Sequence, residues 1–199
     1  MFNAIAGWLF KVSGWRIVGP TPTVPKALWV VAPHNTNWDF PIGLGVRPTL
    51  GIWIQYLAKK ELFNSYAGWL FRALGGIPVD RGRATRLVFS VADLFASRES
   101  LHLCITPEGT RGNVKTLKTG FYFMAQKANV PLILTGFDWP RKLVILSEPL
   151  YVTGDYVKDM EPFYRFFSQV HGPKKDWLTD WEKTGIIPNQ LAEGRPKQA

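Results

Sequence analysis

A histidine and an aspartate at an x4 spacing are the residues of this chain best suited to acid–base chemistry together. His34 and Asp39 follow the apolar run 27–32, whose β-branched and aromatic residues, bracketed by prolines, indicate a buried strand. The Asn and Thr residues between them are good helix N-caps, so a helix is expected to begin near residue 38. The carboxylate could then bind one imidazole nitrogen and fix the tautomer, which leaves the other nitrogen as a general base.

Two further loops at predicted strand ends carry charged residues suited to an anionic ligand. Asp80 and Arg81 follow a glycine pair, and the segment 107–112 reads Pro-Glu-Gly-Thr-Arg-Gly. A glycine beside a threonine and an arginine lets backbone N–H groups approach an oxyanion while the guanidinium binds it with two hydrogen bonds. With a nearby lysine, Arg81 and Arg111 could therefore form a phosphate pocket. The alternative is that each arginine is a surface residue paired with its neighbouring carboxylate, Asp80 or Glu108.

The elements that must position these loops alternate along the chain. Apolar runs predict strands at 27–32, 51–58, 77–81, 101–106, 130–134 and 143–146. Helical periodicity falls at 38–44, 62–73, 84–98, 120–128 and 155–170. The strand at 77–81 is expected at a sheet edge, because Pro78 cannot donate to a central ladder. This order predicts an α/β fold with a mixed, largely parallel central sheet flanked by helices.

The N-terminal segment up to Val18 has apolar residues at spacings of three and four, and it carries two cations and no carboxylate. This pattern predicts an amphipathic helix that is shorter than the ~20 apolar residues of a membrane span. It either packs on the domain's own core or lies among lipid headgroups as an interfacial anchor. We therefore expect a membrane-associating helix at 1–19, the main domain at 20–171 and a loosely attached tail at 172–199.

The composition excludes several classes of function. Hydrophobic residues make up 46% of the chain, which is enough for a sizeable core. One cysteine and three scattered histidines show no spacing of metal ligands, so we expect neither a metal site nor a disulfide framework. The net charge of +9 favours an anionic partner. An anionic phospholipid surface or a phosphorylated substrate fits better than nucleic acid, for which the chain carries no binding motif.

Four segments, taken in order, resemble the motifs of the lysophosphatidic acid acyltransferase family of glycerolipid acyltransferases. They are His-x4-Asp at 34–39, Lys-Lys at 59–60 with the Gly-x-x-x-Asp-Arg turn at 76–81, Pro-Glu-Gly-Thr-Arg at 107–111 and Val-Pro at 130–131. The resemblance covers about residues 27–150. His-x4-Asp alone is a weak signal, but Glu-Gly-Thr-Arg about seventy residues later makes the combination specific.

The resemblance implies a glycerol-3-phosphate acyltransferase-like fold and acyl transfer from a thioester to a glycerol hydroxyl. It assigns His34 to accept the hydroxyl proton and Asp39 to orient the imidazole and stabilise its cation. Cys104 lies in a core strand and no Gly-x-Ser-x-Gly is present, so no covalent acyl-enzyme is expected. Glu108 is expected to position its loop or the acceptor without transferring a proton. The implied phosphate-binding set is Lys59, Lys60, Arg81, Glu108, Gly109, Thr110 and Arg111.

The expected product is phosphatidic acid, made from a 1-acyl-glycerol 3-phosphate at the inner face of the cell membrane by a cytoplasmic, peripheral enzyme. No bound cofactor is expected, and the acyl donor is acyl-CoA or an acyl-carrier-protein thioester. Departures from the family pattern at Tyr66, Pro78 and Leu134 leave the acceptor open, and they leave the phosphate lysine open between Lys59 and Lys60. The alternatives are the same chemistry on a lyso-amino-acid lipid or another lysolipid, and a membrane lipid-binding protein without turnover.

Overall fold

The computed structural model describes residues 2–79 and 84–188. Its strands are β1 (Arg16–Val18), β2 (Lys26–Val31), β3 (Ile54–Lys59), β4 (Gly76–Val79), β5 (Leu101–Ile105), β6 (Leu132–Asp138) and β7 (Leu143–Leu146). Its helices are α1 (Phe2–Val12), α2 (Asp39–Leu50), α3 (Lys60–Phe63), α4 (Gly68–Ala73), α5 (Ala84–Ala96), α6 (Gly120–Ala128), α7 (Tyr156–Ser168) and α8 (Asp176–Thr184). Predicted Arg81 lies outside the described residues.

The described strands form a seven-stranded sheet in the order β1-β7-β6-β2-β5-β3-β4. All neighbouring pairs are parallel except β6 and β7, so the predicted mixed, largely parallel sheet is confirmed. β4 lies at the edge, as Pro78 requires. Because β2 to β6 share one direction, their carboxyl ends meet at one edge of the sheet, where open α/β folds place their sites.

Helices cover both faces of the sheet, which explains the nearly continuous apolar sequence of β2. Leu28 and Val30 of that strand belong to a core cluster shared with α5, α6, α7 and α8. Trp29 and Val31 point to the opposite face, where they join Phe10 of α1 and residues of α2. Alternate side chains of this one strand therefore pack into two cores, one on each face of the sheet. The sheet that carries the predicted loops at its carboxyl edge is therefore packed on both faces.

The predicted N-terminal helix is shorter than expected. α1 ends at Val12, and Gly14 then adopts a left-handed φ of +83°, which turns the chain away from the helix axis. Arg16–Val18 instead forms the edge strand β1, parallel to β7. The prediction of a helix through Val18 was wrong. The β-branched residues Ile17 and Val18 favour a strand, and this strand pairs with β7.

The predicted loosely attached tail is also wrong for the residues that the structure describes. α8 inserts Trp177 and Leu178 into the main core, where both side chains are buried. Charged residues outnumber apolar ones in this helix, so its buried face is short and its sequence resembles a solvated segment. The residues 189–199 of the predicted tail lie outside the described part of the chain.

The helix predicted at 62–73 is divided into α3 and α4. Gly68 sits so close to α3 that a Cβ atom there would lie 2.2 Å from the Phe63 carbonyl oxygen. The two short helices therefore fold back against each other at this glycine. No helix among the described residues has the length and apolar character needed to cross a bilayer.

Candidate active site

The loop after β2 brings His34 against Asp39, the first residue of α2. The His34 Nδ1 and Asp39 Oδ2 atoms are 2.7 Å apart. A carboxylate oxygen can only accept, so Nδ1 carries the hydrogen of this bond and Nε2 of the neutral ring keeps its lone pair. His34 lines a large cavity in the described part of the chain. The arrangement is that of a general base held in one tautomer by a buried carboxylate.

Asp39 is held by donors from two parts of the chain. Its Oδ2 also accepts from the backbone N–H groups of Asn35 and Thr36, each at 3.1 Å, which closes the loop around the carboxylate. Its Oδ1 accepts from Trp139 Nε1 at 3.0 Å. Trp139 follows β6, whose carboxyl end lies beside that of β2. These bonds fix the carboxylate plane and therefore the orientation of the His34 ring.

Glu108 joins the third predicted loop to the loop of His34. Its side chain is 2% exposed, and its Oε2 accepts from the His34 backbone N–H at 2.9 Å. Its Oε1 accepts from Trp177 Nε1 at 3.1 Å. Burial raises the pKa of Glu108, while the His34 N–H, the nearby Lys175 ammonium and the Trp177 N–H oppose that rise. Both oxygens serve protein donors, which favours a positioning role over a direct contact with phosphate.

The rest of that loop is fastened by Lys175, a buried residue just before α8. Its Nζ donates to the carbonyl oxygens of Arg111 at 2.7 Å and Gly112 at 3.0 Å, and it lies 3.8 Å from Glu108 Oε2. Gly109 has a left-handed φ of +67°, which a side chain would strain. Thr110 Oγ1 accepts from the Gly112 N–H at 3.1 Å and closes a turn. The loop backbone is therefore fixed while the Arg111 side chain stays exposed.

A cavity of about 1220 Å³ opens at this edge and reaches into the core. It exceeds the roughly 300–1,000 Å³ of ordinary small-molecule pockets. Its inner lining is mainly apolar and comes from β3, α2, α5 and α6. The cations that line it are Lys59, Arg111, Lys115 and Lys118, with Arg47 in the interior. A ligand with one anionic end and a long apolar body fits these features.

The structure brings together most of the predicted site. His34, Asp39, Glu108, Gly109, Thr110 and Arg111 all line the cavity. Of the two candidate lysines, Lys59 lines it as well, whereas Lys60 begins α3 and is exposed outside that lining. Arg81 follows β4 beyond the last described residue of that strand, so its predicted contact with phosphate stays a prediction.

Cys104 lines the cavity but is a poor nucleophile. Burial raises the pKa of its thiol to about 12, although the Arg47 guanidinium opposes this rise. The thiol therefore stays protonated at neutral pH. Only the thiolate form would attack a thioester, so Cys104 is not expected to do so. The cysteine acts here as a small apolar wall of the cavity.

Comparison with known proteins identifies the family. The family model described as Acyltransferase matches residues 6–135. The chain belongs to the acyltransferase family. The resemblance seen in the four motifs is thereby confirmed at the level of that family, and the chain is an acyltransferase.

The acyltransferase also shares its fold with a solved structure, the 1-acyl-sn-glycerophosphate (LPA) acyltransferase PlsC from Thermotoga maritima. The two are 18% identical with a TM-score of 0.55, and the match covers 93% of this chain and 78% of that one. A search of curated proteins gave no significant match. The structural likeness supports the PlsC-like arrangement of sheet and helices.

Sequence reasoning about this acyltransferase missed Trp139, Lys175 and Trp177. Each contacts a motif residue that is distant in the chain. Trp139 lies 100 residues from Asp39, Lys175 lies 64 from Arg111, and Trp177 lies 69 from Glu108. Spacing along the sequence carries no signal for such contacts. One signal was available in the sequence. Trp177 and Leu178 are adjacent large apolar residues in a segment otherwise rich in charge, which is typical of a short buried face.

Proposed function

We propose that the chain moves a fatty acyl group from an acyl thioester to the free hydroxyl of a 1-acyl-glycerol 3-phosphate and so makes phosphatidic acid for phospholipid synthesis. The observation that carries this proposal is the His34–Asp39 pair in the lining of a large, mainly apolar cavity that also includes several cations. The solved structure with the same fold is named for this acceptor. The donor is acyl-CoA or an acyl carrier protein, and no bound cofactor takes part.

The reaction runs in one transfer from donor to acceptor. His34 Nε2 takes the proton of the acceptor hydroxyl as its oxygen attacks the thioester carbonyl, which forms the new C–O bond. The C–S bond then breaks, and the imidazolium returns the proton to the departing thiolate. Asp39 stabilises the imidazolium across the 2.7 Å contact. The thioester is already activated, so the protonated Cys104 has no step to perform.

Cations around the cavity mouth hold the acceptor's phosphate in this proposal. Arg111 offers a guanidinium suited to two parallel bonds with phosphate oxygens, and Lys59 adds a point charge from the end of β3. Gly109 and Thr110 let the loop backbone come close to the same group. Arg81 and Lys60 are the remaining members of the predicted set. The acyl chains lie in the apolar part of the cavity.

We place this enzyme on the cytoplasmic face of the cell membrane, as a peripheral protein. α1 supports this placement, because Ile5, Trp8, Leu9 and Val12 are exposed on it. Exposed tryptophan and aliphatic side chains on a helix with a terminal lysine suit the headgroup layer of an anionic phospholipid membrane. The acceptor and product are lipids of that layer.

A substrate panel tests the proposal. The purified protein is given acyl-CoA or acyl carrier protein with lysophosphatidate, uncharged lysolipids or lyso-amino-acid lipids in mixed vesicles, and products are identified by mass spectrometry. Phosphatidic acid as the main product supports the proposal. If another acceptor gives the main product, acyl transfer is supported and lysophosphatidate is the wrong acceptor. Lipid binding without any acylated product contradicts the proposed reaction.

A further inference from the structure

The helices α3 and α4 expose a second apolar surface beside the cavity. We define the α3–α4 surface by four exposed side chains, Leu62, Tyr66, Trp69 and Leu70. Tyr66 is fully exposed, and 69% of Trp69 is exposed. Exposed large apolar side chains that lie together on a protein surface are typical of interaction sites.

The α3–α4 surface is not needed to hold the two helices together. Phe63 is buried between them, with its ring 6.1 Å from that of Phe71. The Arg72 guanidinium also lies 5.4 Å from the centre of the Phe63 ring. The segment therefore closes on Phe63, and it presents its remaining large apolar side chains to the surroundings.

The charge of this segment suits an anionic bilayer. Residues 59–73 contain three cations, Lys59, Lys60 and Arg72, and one carboxylate, Glu61. All four are exposed. Aromatic and aliphatic side chains interspersed with cations are typical of segments that lie in the headgroup layer.

The position of this surface suits a lipid substrate. Leu62 and Lys59 line the cavity, so the α3–α4 surface begins at the cavity wall itself. The end of α4 is also linked to α1 through α2. Arg47 of α2 donates to the Leu74 carbonyl just after α4, and the preceding turns of α2 pack against α1, where a Cβ on Gly45 would meet Phe10 at 2.5 Å.

We propose that the α3–α4 surface is a second membrane-docking surface, separate from α1, which sets the cavity mouth against an anionic phospholipid bilayer. This inference rests on the proposed function, because it supplies the route by which a lipid acceptor reaches His34. Leu62, Trp69 and Leu70 enter the headgroup layer, and the neighbouring cations meet lipid phosphates. An acidic carrier protein would also be attracted by the cations, but four large apolar side chains favour lipid as the occupant.

Vesicle sedimentation tests this inference. The variant L62S/W69S/L70S is compared with the wild type on vesicles of equal parts phosphatidylglycerol and phosphatidylcholine. The matched control, Y151S/V157S/I186S, removes three exposed apolar side chains elsewhere, among them Tyr151 at 56% exposure. We expect the partition coefficient of the α3–α4 variant to fall roughly tenfold or more, with the control within about twofold of wild type.

A second measurement does not depend on the triple variant folding. A nitroxide is attached at Y66C or at Y151C in the C104S background, and its collisions with oxygen and with a water-soluble nickel chelate are measured on vesicles. The position-66 label should lie in the headgroup layer and the position-151 label in water. Equal partition of wild type and triple variant, or a water-exposed label at position 66 in bound protein, overturns the inference.

Two further outcomes separate this inference from neighbouring ones. If the triple variant binds vesicles normally and loses affinity only for an acyl carrier protein, the surface serves that protein and our inference is wrong. Acyl transfer by the wild type is measured separately on a short-chain acceptor without vesicles. Absence of transfer there, together with the predicted loss of vesicle binding, overturns the proposed function and leaves the docking surface in place.

Discussion

At the scale of single residues, the site contains side chains that are open to the cavity and carboxylates whose oxygens are occupied by protein donors. His34 and Arg111 present side chains to the cavity. Asp39 and Glu108 spend their oxygens on protein donors, four bonds in the first case and two in the second. Substitutions in the two groups should therefore differ in kind. A substitution of His34 or Arg111 should affect a single chemical or binding step. A substitution of Asp39 or Glu108 should change the geometry of the site and so affect several steps.

Arg111→Ala tests the phosphate-binding group. Loss of a charge-assisted pair worth roughly 1.5–3 kcal/mol should raise KM for lysophosphatidate by about ten-fold or more. KM for an uncharged lysolipid should change little, because that acceptor has no phosphate for Arg111 to bind. Steady-state kinetics with both acceptors measure the difference. Lys115→Ala, on the same loop and also lining the cavity, is the comparison variant. An equal rise for both acceptors would contradict a phosphate contact.

The sequence predicted the chemistry of His34 and Asp39 because both lie in one loop and its helix start, where local geometry decides their contact. It could not predict Trp139 as a donor to Asp39, since that contact depends on β6 lying beside β2. Lys59 and Lys60 stayed equivalent in the sequence because the exact end of a strand cannot be predicted from its own residues. Both lysines are exposed, but Lys59 ends β3 and lines the cavity, whereas Lys60 begins α3 and is not part of that lining.

At the scale of elements, α8 is the part of the molecule whose importance the sequence concealed. It was expected to be tail, yet Trp177 is 1% exposed and donates to Glu108. Lys175, directly before it, fastens the carbonyls of the loop that carries Arg111. A helix near the C-terminal end of the described chain thus holds the loop of Glu108 and Arg111, and Glu108 in turn accepts from the His34 backbone N–H. The packing of aromatic rings from α7 around Trp177 holds this helix in place.

Trp177→Phe tests α8 as a positioning element. The substitution keeps the aromatic packing and leaves Glu108 Oε1 without its donor, at a cost of about 1–3 kcal/mol in the free energy of unfolding. We expect kcat to fall while KM for the thioester changes little, because the His34 loop is the other partner of Glu108. Trp181→Phe, on the same helix and packed on Tyr164, is the control. Equal effects of the two variants on kcat would indicate a packing role alone.

At the scale of the whole molecule, a buried carboxylate ties the end of β6 to the segment after α7. Asp138 accepts from Arg141 Nε at 2.8 Å and from the His171 backbone N–H at 2.9 Å. Burial acts to raise the pKa of Asp138, but these donors outweigh it and lower the pKa to about 2. Trp139, the partner of Asp39, is the next residue. Stability of this corner therefore bears on the site.

Asp138→Asn tests that linkage through pH. The pKa of Asp138 is lower in the folded state than the ordinary 3.8, so its contribution is complete above about pH 5 and is lost as the pH falls toward 2. The variant should be less stable than wild type by roughly 1–3 kcal/mol near pH 7, and the difference should shrink in acid. Urea unfolding at several pH values measures it. Glu161→Gln, which breaks an exposed pair with Arg165, should cost under about 0.5 kcal/mol. A difference that stays constant with pH would contradict the linkage.

The fold as a whole was predictable because strands and helices alternate clearly, and the parallel direction of β2 to β6 brings the motif loops to one edge. The places where prediction failed are short and depend on distant contacts. β1 is stabilised by pairing with β7, and α8 is stabilised by the burial of Trp177 in the core. Neither condition can be read from the segment's own residues.

The measurement that bears most directly on the central claim is thiol release by wild type and His34→Ala. Both proteins are given acyl thioester and lysophosphatidate in lipid vesicles, and free thiol is followed over time. Removal of the general base should lower turnover by roughly 10²–10⁴-fold, with vesicle binding unchanged. A His34→Ala protein that releases thiol at the wild-type rate would contradict the account.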